Sequence, residues 1–216
     1  MSLQHDIAAI RRNYSRQALS EDSVAPNPVD QFKVWLNEAI ASEVHEPTAL
    51  VLSTVSADCR PSARVVLLKE VAPDGFVFFT NYESRKGQEL IQRPFASLTF
   101  FWPELERQVR IEGLVAKVAP DVSDTYFHSR PRGSQIGAWA SPQSREIRSR
   151  QELEEAEQQY NEQFASQSLV PRPAHWGGFI LQPERIEFWQ GRPNRLHDRI
   201  QFDLSGGSWN RKRLAP

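Results

Sequence analysis

The sequence contains a single cysteine, Cys59, among its 216 residues. One thiol forms no internal disulfide and supplies no thiolate-rich metal site, so disulfide scaffolds and zinc ribbons are excluded and a cytoplasmic location is expected. Long apolar runs are also missing, and none approaches the roughly 18 residues of a membrane-spanning helix. The opening MSLQHDIAAIRR has no basic stretch followed by an apolar block. We therefore expect no secretory signal.

An excess of either charge is missing as well. The chain carries 26 Lys and Arg residues against 27 Asp and Glu residues, for a formal net charge of −1. This balance argues against a general nucleic-acid binder, which usually has a basic excess. The cations are unevenly distributed between types, with 21 Arg and 5 Lys. Because the planar guanidinium suits phosphates and carboxylates, the positions of the arginines are informative.

The common signatures of nucleotide-binding and hydrolytic sites are absent. The sequence has no G-x-G-x-x-G after a strand, no P-loop, no H-E-x-x-H and no G-x-S-x-G. Rossmann dehydrogenases, P-loop NTPases, zinc proteases of that type and α/β-hydrolases are therefore disfavoured. The histidines are scattered without the spacing of metal ligands, at His5, His45, His128, His175 and His197. We expect no bound metal.

The hydrophobic pattern predicts a mostly-β fold with surrounding helices. Helices are predicted over 29–44, 84–93 and 121–167, the last interrupted at Pro131 and Pro142. Strands are predicted at 48–56, 62–69, 75–81, 95–102, 106–118, 178–182, 185–191, 195–204 and 208–214. Their short connections favour antiparallel pairing, and six to eight strands are expected to close into a small barrel.

The predicted elements are expected to share one core, so residues 1–216 are interpreted as a single domain. The N-terminal segment is short and ends in a polar, proline-containing stretch at 20–28, so we expect a mobile arm over residues 1–28. The first helix and the main strands occupy 29–120, the helical block occupies 121–170, and the C-terminal strands occupy 171–216.

Two cationic motifs in the first half suit phosphate groups. Arg64 and Lys69 bracket an apolar strand, where strict alternation places them on opposite faces, although both can reach a site at the strand end. The segment 81–87 follows a strand and opens a helix, where backbone N–H groups and the helix dipole favour an anion. Arg85 and Lys86 add positive charge that is unfavourable there without an anion. The alternatives are edge-strand charges and a plain surface turn.

A third cationic motif lies in the helical block. Tyr126 and Arg130 are four residues apart, so they share one face of the predicted helix. Ser134 and other polar residues follow around a turn at Pro131. This combination of an aromatic ring, arginines and hydroxyls suits a second phosphate site. An exposed helix end accounts for the same pattern.

A fourth group lies near the C-terminus. Arg195, His197 and Arg199 alternate onto one face of a predicted strand, which suits an anionic substrate or a developing negative charge. Trp189 offers a flat wall for a ring system, or packs in the core. Glu187 is near enough in sequence to neutralise one of the arginines. Phosphate motifs and aromatic walls without a nucleophile or a metal favour an organic cofactor that carries the chemistry.

With these motifs in view, the chain resembles the pyridoxamine 5′-phosphate oxidase family. The matching stretches are RVVLLK (64–69), FFTNYESRKG (78–87), ERQVRIEG (106–113), YFHSRPRGSQIGAW (126–139) and IEFWQGRPNRLHDR (186–199). The resemblance covers nearly the whole chain, and these stretches occur in the order typical of the family. Phe79 occupies a position where tyrosine is common in the family.

The resemblance implies an FMN-binding split β-barrel that forms a homodimer with flavin at the subunit interface. The implied reaction oxidises pyridoxine 5′-phosphate or pyridoxamine 5′-phosphate to pyridoxal 5′-phosphate. Dioxygen is the electron acceptor, hydrogen peroxide is a product, and the amine substrate also releases ammonia. The expected partners are this small substrate, dioxygen and a second copy of the chain, with neither nucleic acid nor membrane.

The resemblance also implies site residues. Those for FMN correspond to Arg64, Val65, Val66, Leu67, Leu68, Lys69, Phe79, Thr80, Arg85, Lys86, Gln108, Gln143, Ser144, Trp189 and Arg199. Gln143 and Ser144 are expected to come from the partner subunit. Those for the substrate correspond to Lys69, Tyr126, Arg130, Ser134, Arg195, His197, Arg11, Arg12 and Tyr14. The stretch from Arg11 to Tyr14 is expected to close as a lid.

Arg195 and His197 are the expected catalytic residues, lying over the substrate ring and orienting its alcohol or amine. His197 has the more suitable pKa for a base, but no single base is assigned. Two other functions remain open. A flavin reductase-like split-barrel protein would have the flavin-binding residues and would lack the Arg195 and His197 pair. A non-catalytic carrier of pyridoxal 5′-phosphate needs a phosphate site without FMN.

Overall fold

The computed structural model describes residues 14–216. Its helices are α1 (Pro28–Ala41), α2 (Arg85–Gln92), α3 (Pro120–Ser129), α4 (Arg132–Ala140) and α5 (Arg150–Gln163). Its strands are β1 (Ala49–Val55), β2 (Pro61–Leu67), β3 (Glu70–Ala72), β4 (Gly75–Asn81), β5 (Phe95–Trp102), β6 (Arg107–Lys117), β7 (Trp176–Gln190), β8 (Asp198–Ser205) and β9 (Ser208–Leu214). The predicted class, mostly β with surrounding helices, is confirmed. Within this described part, no helix is both long and apolar enough to cross a membrane.

The described residues fall into two compact units. The first unit comprises the described residues up to Pro47 together with Thr99–Ile111 and Arg185–Pro216. The second unit comprises Thr48–Leu98 and Glu112–Glu184. Each unit has its own buried aromatic residues, and each contains one group of candidate functional residues.

The second unit is built on antiparallel strands. The strands that contribute to it follow the order β2-β1-β5-β6-β7-β4-β3. β2 pairs with β1, and β4 pairs with the beginning of β7, so that Thr80 lies opposite Gly177. Helices α3 to α5 pack around a buried cluster, whose members are Phe127, Ile136, Ala138, Phe164, Val170 and Trp176. Proline at the start of α3 and after its end limits this helix to ten residues.

The first unit is built from α1 and the β7-β8-β9 ladder. Helix α1 begins where the Asn27 side chain accepts a hydrogen bond from the Val29 N–H, with a proline in its first turn. Its apolar face packs Trp35 edge-on against Phe188 of β7 at 5.2 Å between ring centroids. On the ladder, Trp189 lies opposite Arg199. This ladder therefore fixes the relative positions of two residues that the sequence singles out.

Most element boundaries agree with the sequence predictions to within three residues, but several details differ. The described sheet has nine strands, whereas six to eight were expected. The two strands predicted at 178–182 and 185–191 form the single strand β7, because the backbone remains extended through Pro183. The three-residue strand β3 was not expected. In the described part of the predicted arm, Leu19 is 5% exposed and its N–H donates to Asp198. These residues pack into the first unit.

The strand predicted at 195–204 is wrong in its first three residues. Pro193–Arg195 is a short 3₁₀ turn, and β8 begins only at Asp198. Asn194 and Arg195 have φ angles of 57° and 62°, which no strand contains. Arg195, His197 and Arg199 therefore do not alternate along one strand. Only Arg199 lies in a strand.

Candidate functional site

The second unit contains a cavity of about 390 Å³ that gathers the central cationic motifs. We call it the cationic cavity, and it is lined by Arg64, Val65, Val66, Leu67, Lys69, Phe79, Thr80, Lys86, Tyr126, Arg130, Gln143 and Trp176. Four of these side chains are cationic, and none of the lining residues is acidic. A concave site with four positive charges and aromatic walls suits an aromatic ligand that carries phosphate.

Arg64 and Lys69 reach the cationic cavity together because β2 ends at Leu67. The alternation of side chains along the strand, which would place Arg64 and Lys69 on opposite faces, therefore stops before Lys69. The backbone N–H of Lys69 donates to the Val77 carbonyl of β4. Arg64 donates from Nη1 to the Thr54 hydroxyl over 2.5 Å and from Nη2 to the Ser62 hydroxyl over 2.6 Å. These bonds hold the guanidinium in one orientation.

Glu89 of α2 is a buried carboxylate that organises the arginines beside the cationic cavity. Its Oε2 accepts hydrogen bonds from Thr54 and Ser62 and lies 3.4 Å from Nη2 of Arg64, while its Oε1 accepts from Nε of Arg85 over 2.9 Å. Burial opposes ionisation, but these hydrogen bonds outweigh it and lower the pKa of Glu89 to about 2. Glu89 is therefore ionised at neutral pH.

Lys86 lies in the first turn of α2, where a cation is unfavourable without an anion. Its Nζ contacts three neutral oxygens, those of Gln143 at 2.9 Å, Thr80 at 3.2 Å and Ser84 at 3.4 Å. Burial, and then the charge of Arg64, lower the pKa of Lys86. No carboxylate pairs with Lys86 among residues 14–216. An incoming phosphate would supply the missing counter-charge, so the donor set fits such a group.

Gln143 reaches the cationic cavity of its own chain. Its Oε1 accepts from Lys86, and it lies 3.3 Å from the Thr80 hydroxyl. The segment after α4 turns back along the second unit, with the Gln143 N–H bonded to the Ser141 carbonyl. That Gln143 and Ser144 serve the flavin of the partner subunit stays a prediction.

Aromatic rings form one wall of the cationic cavity. Phe79 stacks on Tyr126 with ring centroids 3.9 Å apart and on Trp176 at 5.5 Å. Arg130 lies over the Trp176 ring, its Cζ 4.6 Å from the ring centroid. Arg130 is the C-cap residue directly after α3, and it lies over the same Trp176 ring on which Tyr126 stacks. Both side chains line the same cavity.

The first unit contains a second group, which we call the histidine cluster and define as Tyr14, Trp189 and His197. His197 lies 4.6 Å from Trp189 and 5.9 Å from Tyr14 between ring centroids. Tyr14 approaches Gly191 so closely that a Cβ there would come within 2.8 Å of its Cβ. A residue with a side chain at this position would therefore displace Tyr14.

His197 is held as a neutral hydrogen-bond donor. The Arg192 backbone N–H donates to Nδ1 of His197 over 3.1 Å, so the proton of the neutral ring lies on Nε2. Burial, and then the charge of Arg195, lower the pKa of His197. Nε2 can donate to a heteroatom, but it has no lone pair with which to accept a proton. This geometry argues against His197 as the base through Nε2.

Arg199 is not free to neutralise a ligand. Its Nε and Nη2 bond to the two carboxylate oxygens of Glu187 over 2.9 and 3.0 Å, and its Nη1 donates to the Ala215 carbonyl over 2.8 Å. The hydrogen bonds from Arg199 to Glu187 raise the pKa of Arg199. Glu187 thus neutralises this arginine, as its sequence position suggested. Arg195 is exposed on its turn.

Several predicted site residues lie outside the cationic cavity lining and the histidine cluster. Leu68 is buried and its N–H bonds to the Thr48 carbonyl, while Ser134, Ser144 and Arg85 are exposed. Gln108 lies on β6 in the first unit. Arg11 and Arg12 lie outside the described residues. For these seven residues the predicted ligand contacts remain predictions.

Sequence reasoning missed Trp176 in the cationic cavity. It begins β7 after a proline-containing connection, in a stretch between Ser144 and Trp189 for which the sequence predicted no site residue. A tryptophan next to two glycines at a strand start was the available signal. Gly177 and Gly178 leave room for the Tyr82 and Phe79 rings, which a Cβ at either glycine would meet within 2.8 Å.

Comparison with known proteins gives consistent matches along the chain. The family model described as pyridoxamine 5′-phosphate oxidase matches residues 36–189, and that of the pyridoxine 5′-phosphate oxidase C-terminal dimerisation region matches residues 176–216. A pyridoxine/pyridoxamine 5′-phosphate oxidase of Synechocystis sp. is 56% identical over 97% of this chain and 98% of its own length. That of Chromobacterium violaceum is 55% identical over 98% and 99%.

Solved structures support the same relationship. PhzG from Burkholderia lata, in complex with tetrahydrophenazine-1-carboxylic acid, superimposes with a TM-score of 0.87 at 31% identity, covering 94% of this chain and all of PhzG. A pyridoxamine 5′-phosphate oxidase-related, FMN-binding protein from Nostoc punctiforme has a TM-score of 0.70 at 16% identity, covering 89% of this chain and all of its own. These likenesses confirm the predicted split β-barrel fold.

Proposed function

The chain belongs to the pyridoxamine 5′-phosphate oxidase family, and from that membership we propose that it oxidises pyridoxine 5′-phosphate or pyridoxamine 5′-phosphate to pyridoxal 5′-phosphate. FMN is the proposed cofactor and dioxygen the proposed electron acceptor. Hydrogen peroxide is released, together with ammonia when the substrate is the amine. The structural observation that carries this proposal is the cationic cavity, which brings four cations together and has no acidic lining residue.

The cationic cavity has the donors that FMN requires. Lys86 and Arg64 would hold the flavin phosphate, because Lys86 lies in the first turn of α2 and Arg64 of β2 lines the same cavity. Arg85 would join them, since its bond to Glu89 uses only Nε. Thr80 and Gln143 would bond to the flavin in place of their present bonds to Lys86. When bound, FMN supplies the hydride acceptor that no side chain provides.

The substrate phosphate is assigned to the other cations of the same cavity. Lys69 and Arg130 would neutralise it, with the Tyr126 and Ser134 hydroxyls as further donors. Fixing the phosphate restricts the position of the pyridine ring and hence of its oxidisable carbon. The aromatic wall excludes water from one side of this position.

Arg195 and His197 would act on the reacting end of the substrate. The neutral His197 ring holds its proton at Nε2, from which it can donate to the alcohol oxygen or the amine nitrogen. Arg195 is permanently charged and would orient the ring hydroxyl as an anion. Neither residue serves as the base in this proposal, and the proton of the alcohol or amine passes to solvent water when the substrate carbon loses its hydride. The C-terminal region matches the family's dimerisation region, and we propose a homodimer with flavin at its interface.

The experiment that tests the function uses purified protein reconstituted with FMN. Pyridoxine 5′-phosphate is added in air, and aldehyde and hydrogen peroxide are followed together. Equal appearance of both is expected. Flavin retained without either product contradicts the proposal and favours a flavin reductase-like protein. Protein that binds pyridoxal 5′-phosphate but retains no yellow, fluorescent flavin favours a carrier.

A further inference from the structure

Arg130 differs from the other cations of the cationic cavity in what holds it. Its Cζ lies 4.6 Å from the centroid of the Trp176 ring and 5.7 Å from that of Phe127. Its Nη1 is buried and finds no hydrogen-bond acceptor among residues 14–216. No carboxylate pairs with it in that part of the chain. The described contacts of this guanidinium are therefore mainly with aromatic faces.

An arginine stacked on a ring keeps the edge of its guanidinium available. The five N–H groups lie in the guanidinium plane, so stacking on an indole face uses none of them. Burial, opposed by the nearby Tyr126, lowers the pKa of Arg130. The lowered pKa means that nearby negative charge does not offset the burial of the guanidinium. A buried donor without an acceptor is costly, and a phosphate oxygen would satisfy it.

Trp176 is itself held firmly. Its ring is parallel to those of Phe79 and Tyr126 within 12° and 8°, and only 7% of the residue is exposed. It also packs against Phe127 with centroids 5.2 Å apart. The ring therefore presents a fixed face. Indole offers the strongest cation–π attraction among the aromatic side chains.

We propose that Trp176 is a positioning residue for substrate binding, which fixes the Arg130 guanidinium so that its free edge receives the substrate phosphate. This inference rests on the proposed function and adds a residue to which no ligand role has been assigned. Trp176 acts through Arg130, so its effect requires Arg130 to be present.

The test combines a conservative and a disruptive substitution with a double-mutant cycle. In the FMN-loaded protein, Trp176→Leu is expected to raise KM for pyridoxine 5′-phosphate about tenfold, while kcat changes less than about twofold. Trp176→Phe keeps an aromatic face and is expected to raise KM only about threefold. In an Arg130→Ala background, either Trp176 substitution is expected to change kcat/KM by less than about twofold, because the residue it positions is gone.

Trp139→Leu is the matched control. Trp139 packs against the same buried cluster, contacting Tyr160 and Phe164, but it does not line the cationic cavity. If it raises KM as much as Trp176→Leu, the effect is one of general packing and the inference is wrong. Additive effects of the Trp176 and Arg130 substitutions would also overturn it. If Trp176→Leu does not fold, the cycle with Trp176→Phe decides.

A second readout separates this inference from the proposed activity. Equilibrium dialysis measures the Kd of pyridoxine 5′-phosphate for the flavin-free protein, in which no oxidation occurs. Trp176→Leu is expected to raise this Kd about tenfold. Wild-type protein that binds the substrate in this dialysis but does not oxidise it when loaded with FMN contradicts the proposed function alone. An unchanged Kd in Trp176→Leu contradicts the role of Trp176 alone.

Discussion

The cationic side chains of the two units have different neighbours. The side chains concerned are the cations of the cationic cavity in the second unit and the arginines around the histidine cluster in the first unit. In the cavity, Lys86 contacts neutral oxygens and Arg130 lies on an indole ring. In the first unit, Arg199 is bonded through two nitrogens to Glu187, and Arg213 is paired with Glu21 and Asp198. Cations without counter-charge are suited to bind an anion, whereas neutralised cations are suited to fix a geometry. This difference is consistent with the proposed roles, ligand binding in the cationic cavity and orientation of the substrate in the first unit.

The largest expected effect tests whether the first unit serves the reaction. His197→Leu and Arg195→Leu are each expected to lower kcat by about 100-fold or more, because they remove groups that orient the reacting end of the substrate. The Kd of FMN is expected to change by less than about twofold. Steady-state oxidation and flavin fluorescence titration measure these quantities.

The control for this pair is His45→Leu, since His45 is an exposed histidine of the same unit. It is expected to leave kcat unchanged. Normal turnover in both the His197 and Arg195 variants would remove these residues from the site. A loss of flavin affinity larger than the loss of kcat would reverse the division of roles between the two regions.

The next effect tests the cationic cavity. The double variant Arg85→Ala with Lys86→Ala is expected to raise the Kd of FMN by about 100-fold, because each charge-assisted hydrogen bond to phosphate contributes about 1.5 kcal/mol or more. Flavin fluorescence titration measures the Kd. The matched control is Arg148→Ala with Arg150→Ala, which removes two exposed cations at the start of α5. Unchanged affinity in the first variant would overturn the phosphate assignment.

A smaller effect concerns the buried carboxylate beside the cavity. The pKa of Glu89 is lowered to about 2 in the folded protein, from an ordinary value of 4.5. The ionised Glu89 carboxylate therefore contributes its full stabilisation of the folded protein above pH 4.5, and this contribution is lost as the pH falls toward 2. Glu89→Gln should therefore make the free energy of unfolding less dependent on pH across this window.

Urea denaturation of wild type and Glu89→Gln at several pH values between 5 and 2 measures this dependence. Glu154→Gln removes an equivalent charge from an exposed ion pair on α5 and serves as the control. If wild type and Glu89→Gln lose stability in parallel, Glu89 is not the ionised anchor of Arg64 and Arg85.

The smallest effect concerns one titration in the histidine cluster. The pKa of His197 is lowered by burial and, secondarily, by the charge of Arg195. Removing that charge favours the protonated ring, so Arg195→Met is expected to move the His197 pKa upward, toward its ordinary value. NMR titration of the His197 ring protons measures this shift without reference to activity. A pKa that moves downward or not at all would show that Arg195 does not act on His197.

Much of the cavity follows from local sequence patterns. Ser84, Arg85 and Lys86 were interpretable as an anion site because the start of a helix disfavours unpaired cations, and α2 begins at Arg85. The placement of Arg64 with Lys69 was left open, since it depends on where β2 ends. A strand end is set by pairing with β1 and by the turn into β3, which periodicity alone does not specify.

The histidine cluster and the aromatic wall were harder to predict. The alternation of Arg195, His197 and Arg199 fits a strand, but Pro193 and two left-handed residues produce a turn instead. Trp176 lies about 46 residues after Arg130 in the sequence, so no local period connects them. Contacts of this range arise from the packing of α3 against the start of β7, and the sequence alone shows only that both residues exist.

The left-handed backbone at Arg195 has a consequence for engineering. A non-glycine residue at a φ of 62° carries a steric cost of about 1–2 kcal/mol. Glycine would remove this cost, but its greater freedom in the unfolded chain would offset about 0.5–1 kcal/mol of the gain in stability. A thermostability screen that ranks substitutions by melting temperature would therefore select Arg195→Gly. The same substitution removes a proposed catalytic side chain. Any programme to stabilise this protein should hold position 195 fixed, because stability and turnover favour different residues there.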